Sequence, residues 1–312
     1  MAVVVRTLFP DWMTTAALPW LEEVIDQGRK TRPEEFRSFF RLMSTDKPHV
    51  QYTSMGTLGD FVETDENSDV TFDNPNQGFD KTLTPLQYSL GFSVSRMALD
   101  DDKIGPLKNL ASHLGRSYTE SRNILAADIF NNGFSGTFNT GADGLELFST
   151  LHLLDGSAVT FNNELDTPAD LSITSLRTAQ IDFSDFRDGR NKRLNLRANK
   201  LIVPRDLEWD ALEILKSQLR PDTANNAINA FNIDGYNTGG LAVMKWNYLT
   251  DTDAWFLQAP EEDHYLIFLE REPFNVVSDV NFRNRALETA AWGRFDVDWV
   301  NNGIGVYGSP GA

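Results

Sequence analysis

The 312-residue chain contains no cysteine. That excludes disulfides, thiolate nucleophiles and cysteine-ligated metal centres, and it fits synthesis in a reducing cytoplasm. The sequence also lacks any run of about 18 apolar residues, the length a helix needs to cross a bilayer. Its start, Met1-Ala2-Val3-Val4-Val5-Arg6, does not have the basic-then-apolar layout of a secretory leader. Positive charge is scarce: 28 Lys and Arg stand against 45 Asp and Glu, a net charge of −17. Such a surface repels polyphosphate at long range, which argues against sequence-specific nucleic-acid binding.

Signatures of chemistry are missing as well. The four histidines, His49, His113, His152 and His264, are far apart, and none forms a metal-binding i,i+4 pair. Asp65-Glu66-Asn67-Ser68-Asp69 matches the first ligand positions of a calcium loop. Val70 then stands where glycine is required, and Asn76 stands at the bidentate glutamate position. Gly133-Phe134-Ser135-Gly136 does not fit a nucleophile elbow. Phosphate-binding glycine loops are absent. The expectation is a protein with no catalytic, cofactor-binding or metal residues and no cofactor. His152 reads as a hydrogen-bonded structural histidine.

What is present is the patterning of a two-lobed α+β protein, since a chain of this length exceeds one compact core. Leu18 to Ile25 suits a short helix with Pro19 in its first turn. Pro33 to Met43 suits another, with Phe36, Phe39, Phe40 and Met43 at helical spacing. Gln51–Val62 and Leu83–Val94 read as two strands flanking a turn-rich middle from Asp65 to Gly78, that is, a long hairpin. Along Leu83–Val94, residues Leu86, Tyr88, Leu90, Phe92 and Val94 share one face. Asp100-Asp101-Asp102 opens a long helix reaching about Asn132, with an apolar stripe through Leu107, Leu110, Leu114, Tyr118, Leu125 and Ile129. Gly133 is placed to stop it.

The remainder reads as follows. Ser172 caps a helix to about Phe183. A basic strand runs over 187–200, and a helix from Pro204 reaches about Gln218. A polar loop covers 219–240. Short strands occupy 241–249, 254–259 and 265–270, and a long strand runs from Ala286 to Val300.

The sharpest motif is Asp143-Gly144-Leu145-Glu146-Leu147-Phe148-Ser149-Thr150-Leu151-His152, between the long helix and the segment Leu201-Ile202-Val203-Pro204. In that order these pieces resemble the major capsid protein of tailed bacteriophages, in the branch with Mu-like major head subunits. The resemblance implies the HK97 fold. Its expected parts are an N-terminal arm (1–48), an extended β-hairpin loop (49–95), a peripheral domain with a long spine helix (96–205 and 273–312) and an axial domain (206–272). It further implies a structural protein of the virion, assembled in the host cytoplasm. Its partners would be itself in pentamers and hexamers, a separate scaffolding protein, a portal and decoration proteins, around DNA held without specific contacts. The cross-linking lysine of some relatives is not carried over, because Lys81 lies at the hairpin base.

The resemblance also implies where subunits meet. The extended loop lies on a neighbouring subunit. Residues 48–80 carry seven acidic groups and no Lys or Arg, whereas 187–200 carries six basic groups and one acid. The expected contact pairs Glu63, Asp65, Glu66 and Asp69 with Arg187, Arg190, Lys192, Arg193 and Arg197 of the neighbour. Phe36, Phe39 and Phe40 are expected to pack on an adjacent subunit as well. Two readings from other classes stand beside this one: an acidic extracellular adhesin or carbohydrate-binding module, suggested by 7 Trp, and an acidic hydrolase.

Overall fold

A computed structural model describes residues 18–66, 69–75, 77–95, 97–98, 104–154, 159–219, 228–232 and 240–312. Asp100–Asp102, and most of the loop expected over 219–240, lie outside the described residues.

The first helix, α1 (Leu18–Lys30), buries Leu21, Val24 and Ile25. It packs on the long helix α2 (Ile104–Asn131), which buries Leu107, Leu114, Tyr118 and Ile129 of the expected stripe, with Ala111 buried in place of Leu110, which is exposed. The crossing is tight because two glycines meet it. A Cβ on Gly28 would sit 2.4 Å from the Ser112 carbonyl oxygen, and one on Gly115 would sit 2.1 Å from that of Ile25. Any side chain at either position forces the helices apart.

The helix expected over Pro33–Met43 does not form. Glu35–Ser38 is a single 3₁₀ turn, followed by strand β1 (Arg41–Ser44). Two things override the helical spacing. β1 pairs in parallel with β10 (Leu266–Val280), from Arg41 opposite Ile267 to Ser44 opposite Glu270. The three phenylalanines also fill the chain's own core: Phe36 stacks on Phe268 at 4.3 Å and Phe39 on Trp246 at 4.5 Å, while Phe40 meets Phe130 edge-on. Their exposures are 0%, 2% and 1%. The expectation that Phe36, Phe39 and Phe40 face another subunit is therefore corrected, since no surface of theirs is left to offer.

The hairpin differs too. Its strands are β2 (Val50–Met55) and β3 (Gln77–Leu83), antiparallel, with residues 56–66 and 69–75 irregular between them. Strand β4 (Leu86–Val94) does alternate as its sequence dictates, but it leaves the hairpin and pairs with β11 (Leu287–Trp299). There Tyr88 stacks on Phe295 at 4.6 Å. The resulting sheet has the order β1-β10-β11-β4. It lies against α2 through a core of Phe36, Tyr118, Phe268, Phe295 and Trp299. Arg122 of α2 is buried in that core. Its guanidinium lies 4.8 Å from the Phe268 ring and 4.9 Å from Phe36, and it is paired to Glu34 at 3.1 Å and to Glu270 at 3.3 Å. The pairing and ring contacts offset the cost of burying the charge.

A second layer begins with the short strands β5 (His152–Leu153) and β6 (Thr160–Phe161) and helix α3 (Ile173–Ser184). Ser172 caps α3, its hydroxyl accepting from the Ser175 amide at 3.1 Å. Strands β7 (Lys200–Val203), β8 (Ala242–Lys245), β9 (Trp255–Gln258) and β12 (Val306–Ser309) form a second sheet in the order β12-β9-β7-β8, with helix α4 (Glu208–Lys216) beside it. This layer has its own core of Leu176, Phe183, Leu201, Trp255, Leu257 and Tyr307. The span 206–272 divides between the two sheets, since Leu266–Val280 belongs to the first. β7 and β12 join β9 by strand pairing, so 200–203 and 306–309 belong to the second.

The basic strand expected over 187–200 is a knuckle instead. The Asp188 carboxylate accepts from the amides of Arg190 (2.9 Å) and Lys192 (2.8 Å), which closes a tight turn. Asn191 (φ 63°) and Asn195 (φ 52°) are left-handed, which an extended strand does not allow.

Candidate assembly surfaces

The motif over 143–152 proves to be a closed knot. His152 Nδ1 lies 2.7 Å from Asp143 Oδ2, so the first and last residues of the stretch meet, and both side chains are fully buried. Burial alone would raise the Asp143 pKa. The hydrogen bond and charge of His152, with the amides of Leu145 and Leu153, outweigh that effect and leave it lowered. Inside the knot, Asn163 Nδ2 donates to the Leu147 carbonyl at 2.7 Å, and Asn163 Oδ1 accepts from the Ser149 amide at 2.8 Å. Leu147 and Phe148 are thereby fixed in the core, with Phe148 stacked on Phe256 at 5.1 Å. His152 is structural, and Asp143 is the partner that sequence spacing did not reveal.

The acidic loop does meet the basic knuckle, within one chain. Arg190 reaches Asp73 at 2.8 Å and the carbonyl of Thr57 at 2.8 Å. Lys192 reaches Asp60 at 2.7 Å and the Leu58 carbonyl at 3.1 Å. The Thr57 hydroxyl donates to Asp188. Asp73 also accepts from the Gly59 amide at 2.7 Å, and this bond, followed by Arg190, lowers its pKa. Arg187 and Arg193 are both paired with Asp185, at 3.0 and 2.8 Å. Arg197 is exposed along the same shallow groove as Arg177 and Arg193.

The clip therefore uses Asp60 and Asp73. Glu63, Asp65, Glu66 and Asp69, the acids expected at the contact, stay exposed and make no ion pair among the described residues. Thr57, Asp60, Asp73 and Asp188 are the residues that sequence reading missed. The dense Asp/Asn/Gly spacing of the loop was the available signal, but it does not say which carboxylate turns inward.

The loop is held to the body by polar contacts while its apolar groups face outward. Phe61 is 107% and Phe72 is 93% exposed, with Leu58, Val62 and Val70 also exposed. At the hairpin root, by contrast, Leu83 is buried with Ile267, Leu269 and Val300. Lys81 there pairs with Asp298 at 2.9 Å and lies 5.1 Å from the Trp299 ring. It anchors the hairpin to the sheet. Asp298 has a raised pKa, chiefly from burial, which Lys81 only partly offsets.

Among the described residues, no group of three or more His, Asp or Glu is placed to hold a metal, and no helix is long and apolar enough to cross a membrane.

The structure thus sets a polar-clipped loop with an outward apolar tip on a helix-backed sheet. The pattern of the family described as "Phage capsid protein" matches residues 80–308, and the chain belongs to that family. No curated protein matches it. Among solved structures it resembles the procapsid of bacteriophage JBD30, with TM-score 0.53 and 14% identity over 98% of this chain and 76% of that one. The capsid of the native GTA particle gives 0.54 and 12% over 88% and 89%. The virus-like particle from Pyrococcus furiosus gives 0.51 and 10% over 93% and 98%. The α+β fold is the HK97 capsid fold, and the chain is a structural capsid protein.

Proposed function

We propose that many copies of this chain assemble through rings of five and six into an icosahedral head that encloses a phage genome without sequence-specific contacts. Assembly takes place in the host cytoplasm, with a separate scaffolding protein, a portal and decoration proteins as partners. The β1-β10-β11-β4 sheet with α2 is the peripheral domain, and the second sheet with α3 and α4 is the axial domain. The knot over 143–152 supports placement in the Mu-like branch. The role is mechanical and needs no catalysis.

One observation carries this reading: a loop of a capsid-family chain that exposes Phe61, Val62, Val70 and Phe72 while only polar groups tie it down. Apolar groups displayed in this way mark a surface for another protein. In the shell the loop leaves its own knuckle and lies on the neighbour. The same Asp73–Arg190 and Asp60–Lys192 pairs can then form between chains, so the exchange costs little. Size-exclusion chromatography with negative-stain microscopy of the purified chain tests the reading. Shells or rings of five and six support it, and a compact monomer at every concentration contradicts it.

A further inference from the structure

The hairpin is attached to the body at two places and bridges a cavity between them. Its root is fixed by Leu83, packed with Ile267, Leu269 and Val300. Its far end is fixed by the clip, where the Thr57 hydroxyl donates to Asp188. Between these points lies a cavity of about 530 Å³. Residues 52–57, from β2 onward, make its roof, and the buried Ile267, Val300 and Ile304 make its floor. Leu194 and Leu196, just past the knuckle, form one side. Small-molecule sites typically enclose about 300–1,000 Å³, so the cavity has the size of one.

Its lining sets the chemistry. The polar groups of the wall are already engaged. Thr53 donates to Asp80 at 2.5 Å, and Ser54 donates to the Phe79 carbonyl at 3.1 Å. Arg41 donates to the Glu261 carbonyl. Asp188 accepts from the Thr57 hydroxyl and from the amides of Arg190 and Lys192. The charges that remain on the wall are of both signs, Arg41 against Glu262 and Asp263, so neither an anion nor a cation is favoured. The apolar groups, by contrast, are left partly uncovered. Met43 is 36% and Tyr265 39% exposed, and Tyr52, Leu194 and Leu196 are only half-buried.

We propose that this cavity is a binding site for a small uncharged apolar molecule, and that its occupant holds the hairpin on the body. A charged ligand would lose its water without gaining a free partner, and a peptide would bring backbone N–H and C=O groups that the wall does not satisfy. An apolar body covers the side chains left open and asks for no hydrogen bond. Roof and floor belong to different parts of the chain. A ligand that touches both binds the clipped hairpin better than a released one, and so shifts the population toward the clipped form. If the loop leaves its knuckle during assembly, the ligand also delays shells; that consequence rests on the assembly reading, and the site itself does not.

Nile red, an uncharged dye that brightens in apolar surroundings, is the probe, titrated into the unassembled full-length chain. Binding should be saturable. Two variants that fill the cavity, Ser54→Trp in the roof and Leu196→Phe at the side, should each weaken it about tenfold, equivalent to about 1.4 kcal/mol. Phe61→Ser with Phe72→Ser, which removes the outward rings of the loop, should bind the dye as the native chain does. No saturable binding overturns the proposal. So does undiminished binding by a folded cavity variant, or loss of binding in the loop variant, which would place the dye on the loop.

Hydrogen exchange of the native chain gives a second readout that needs no variant to fold. Dye at three times its dissociation constant should slow exchange across residues 50–57 about fourfold and leave β11 unchanged. Unchanged exchange over 50–57 at that occupancy overturns the claim that the occupant holds the hairpin. Slowed exchange with an undiminished yield of shells supports the site and counts against release of the loop during assembly, so the two readings fail separately.

Discussion

The body and the loop of this chain are held by opposite means. At the α1–α2 crossing and beneath the sheet, apolar groups are buried at van der Waals distance. Gly28 and Gly115 let two backbones touch, and four aromatic rings surround the buried guanidinium of Arg122. In the loop over 56–75 the arrangement inverts: polar groups face the body, and Phe61 and Phe72 face solvent. Apolar groups displayed in this way mark a surface for another protein. The body is therefore what one copy folds alone, and the loop is what the proposed assembly would complete.

Two substitutions should break the body and leave the loop's chemistry untouched. Phe36→Ala removes a fully buried ring stacked on Phe268 and should cost about 3–5 kcal/mol, seen as a lower urea midpoint in the unassembled protein. A soluble Phe36→Ala monomer of normal stability that fails only to assemble would instead restore the interface role first expected of that residue. Gly115→Ala should cost about 1–3 kcal/mol, because its Cβ meets the Ile25 carbonyl and α1 must shift. Hydrogen exchange should then rise along α1 first.

His264→Gln sharpens the comparison through pH. Burial, with the charges of Lys200 and Arg41, lowers the His264 pKa from 6.5 to about 3. In the folded chain the ring stays neutral, while in the unfolded chain it takes a proton below about 6.5. The unfolded state therefore binds more protons between those values, and stability falls as pH drops from 6.5 toward 3. The Gln variant should show a shallower decline of stability over that window. Equal slopes in the two proteins would mean that other groups carry the acid response.

The smallest effect on stability belongs to the loop. Asp73→Asn, which weakens the clip to Arg190, should leave the global melting curve unchanged and speed exchange only across residues 57–75.

Sequence legibility follows the same division. The long helix was readable because its periodicity is set by a face that one chain buries, and the strand Leu86–Val94 was readable from alternation alone, since Leu86 and Leu90 stay exposed. Partners were not readable. Alternation marked β4 as a strand but did not say that β11, rather than β2, pairs with it. Helical spacing of Phe36, Phe39 and Phe40 was accidental, because β10 captures the following residues as a parallel strand. The basic segment over 187–200 looked extended, but two left-handed asparagines and the Asp188 carboxylate fold it into a knuckle. The acid–base complementarity of loop and knuckle was visible as composition, yet only geometry chose Asp60 and Asp73 over Glu63, Asp65, Glu66 and Asp69. Asp143 and His152, nine residues apart, share no helix or strand repeat, so their pairing appears only once the knot has closed.

The central claim is that the body is complete in one copy while the loop is completed by another. Hydrogen exchange of the unassembled chain and of the assembled shell tests it most directly. The amides of α2 and of β10 and β11 should be protected equally in both states. Those of residues 57–75 should exchange faster than the body in the unassembled chain and become protected in the shell. Equal protection of the loop in both states would contradict the account.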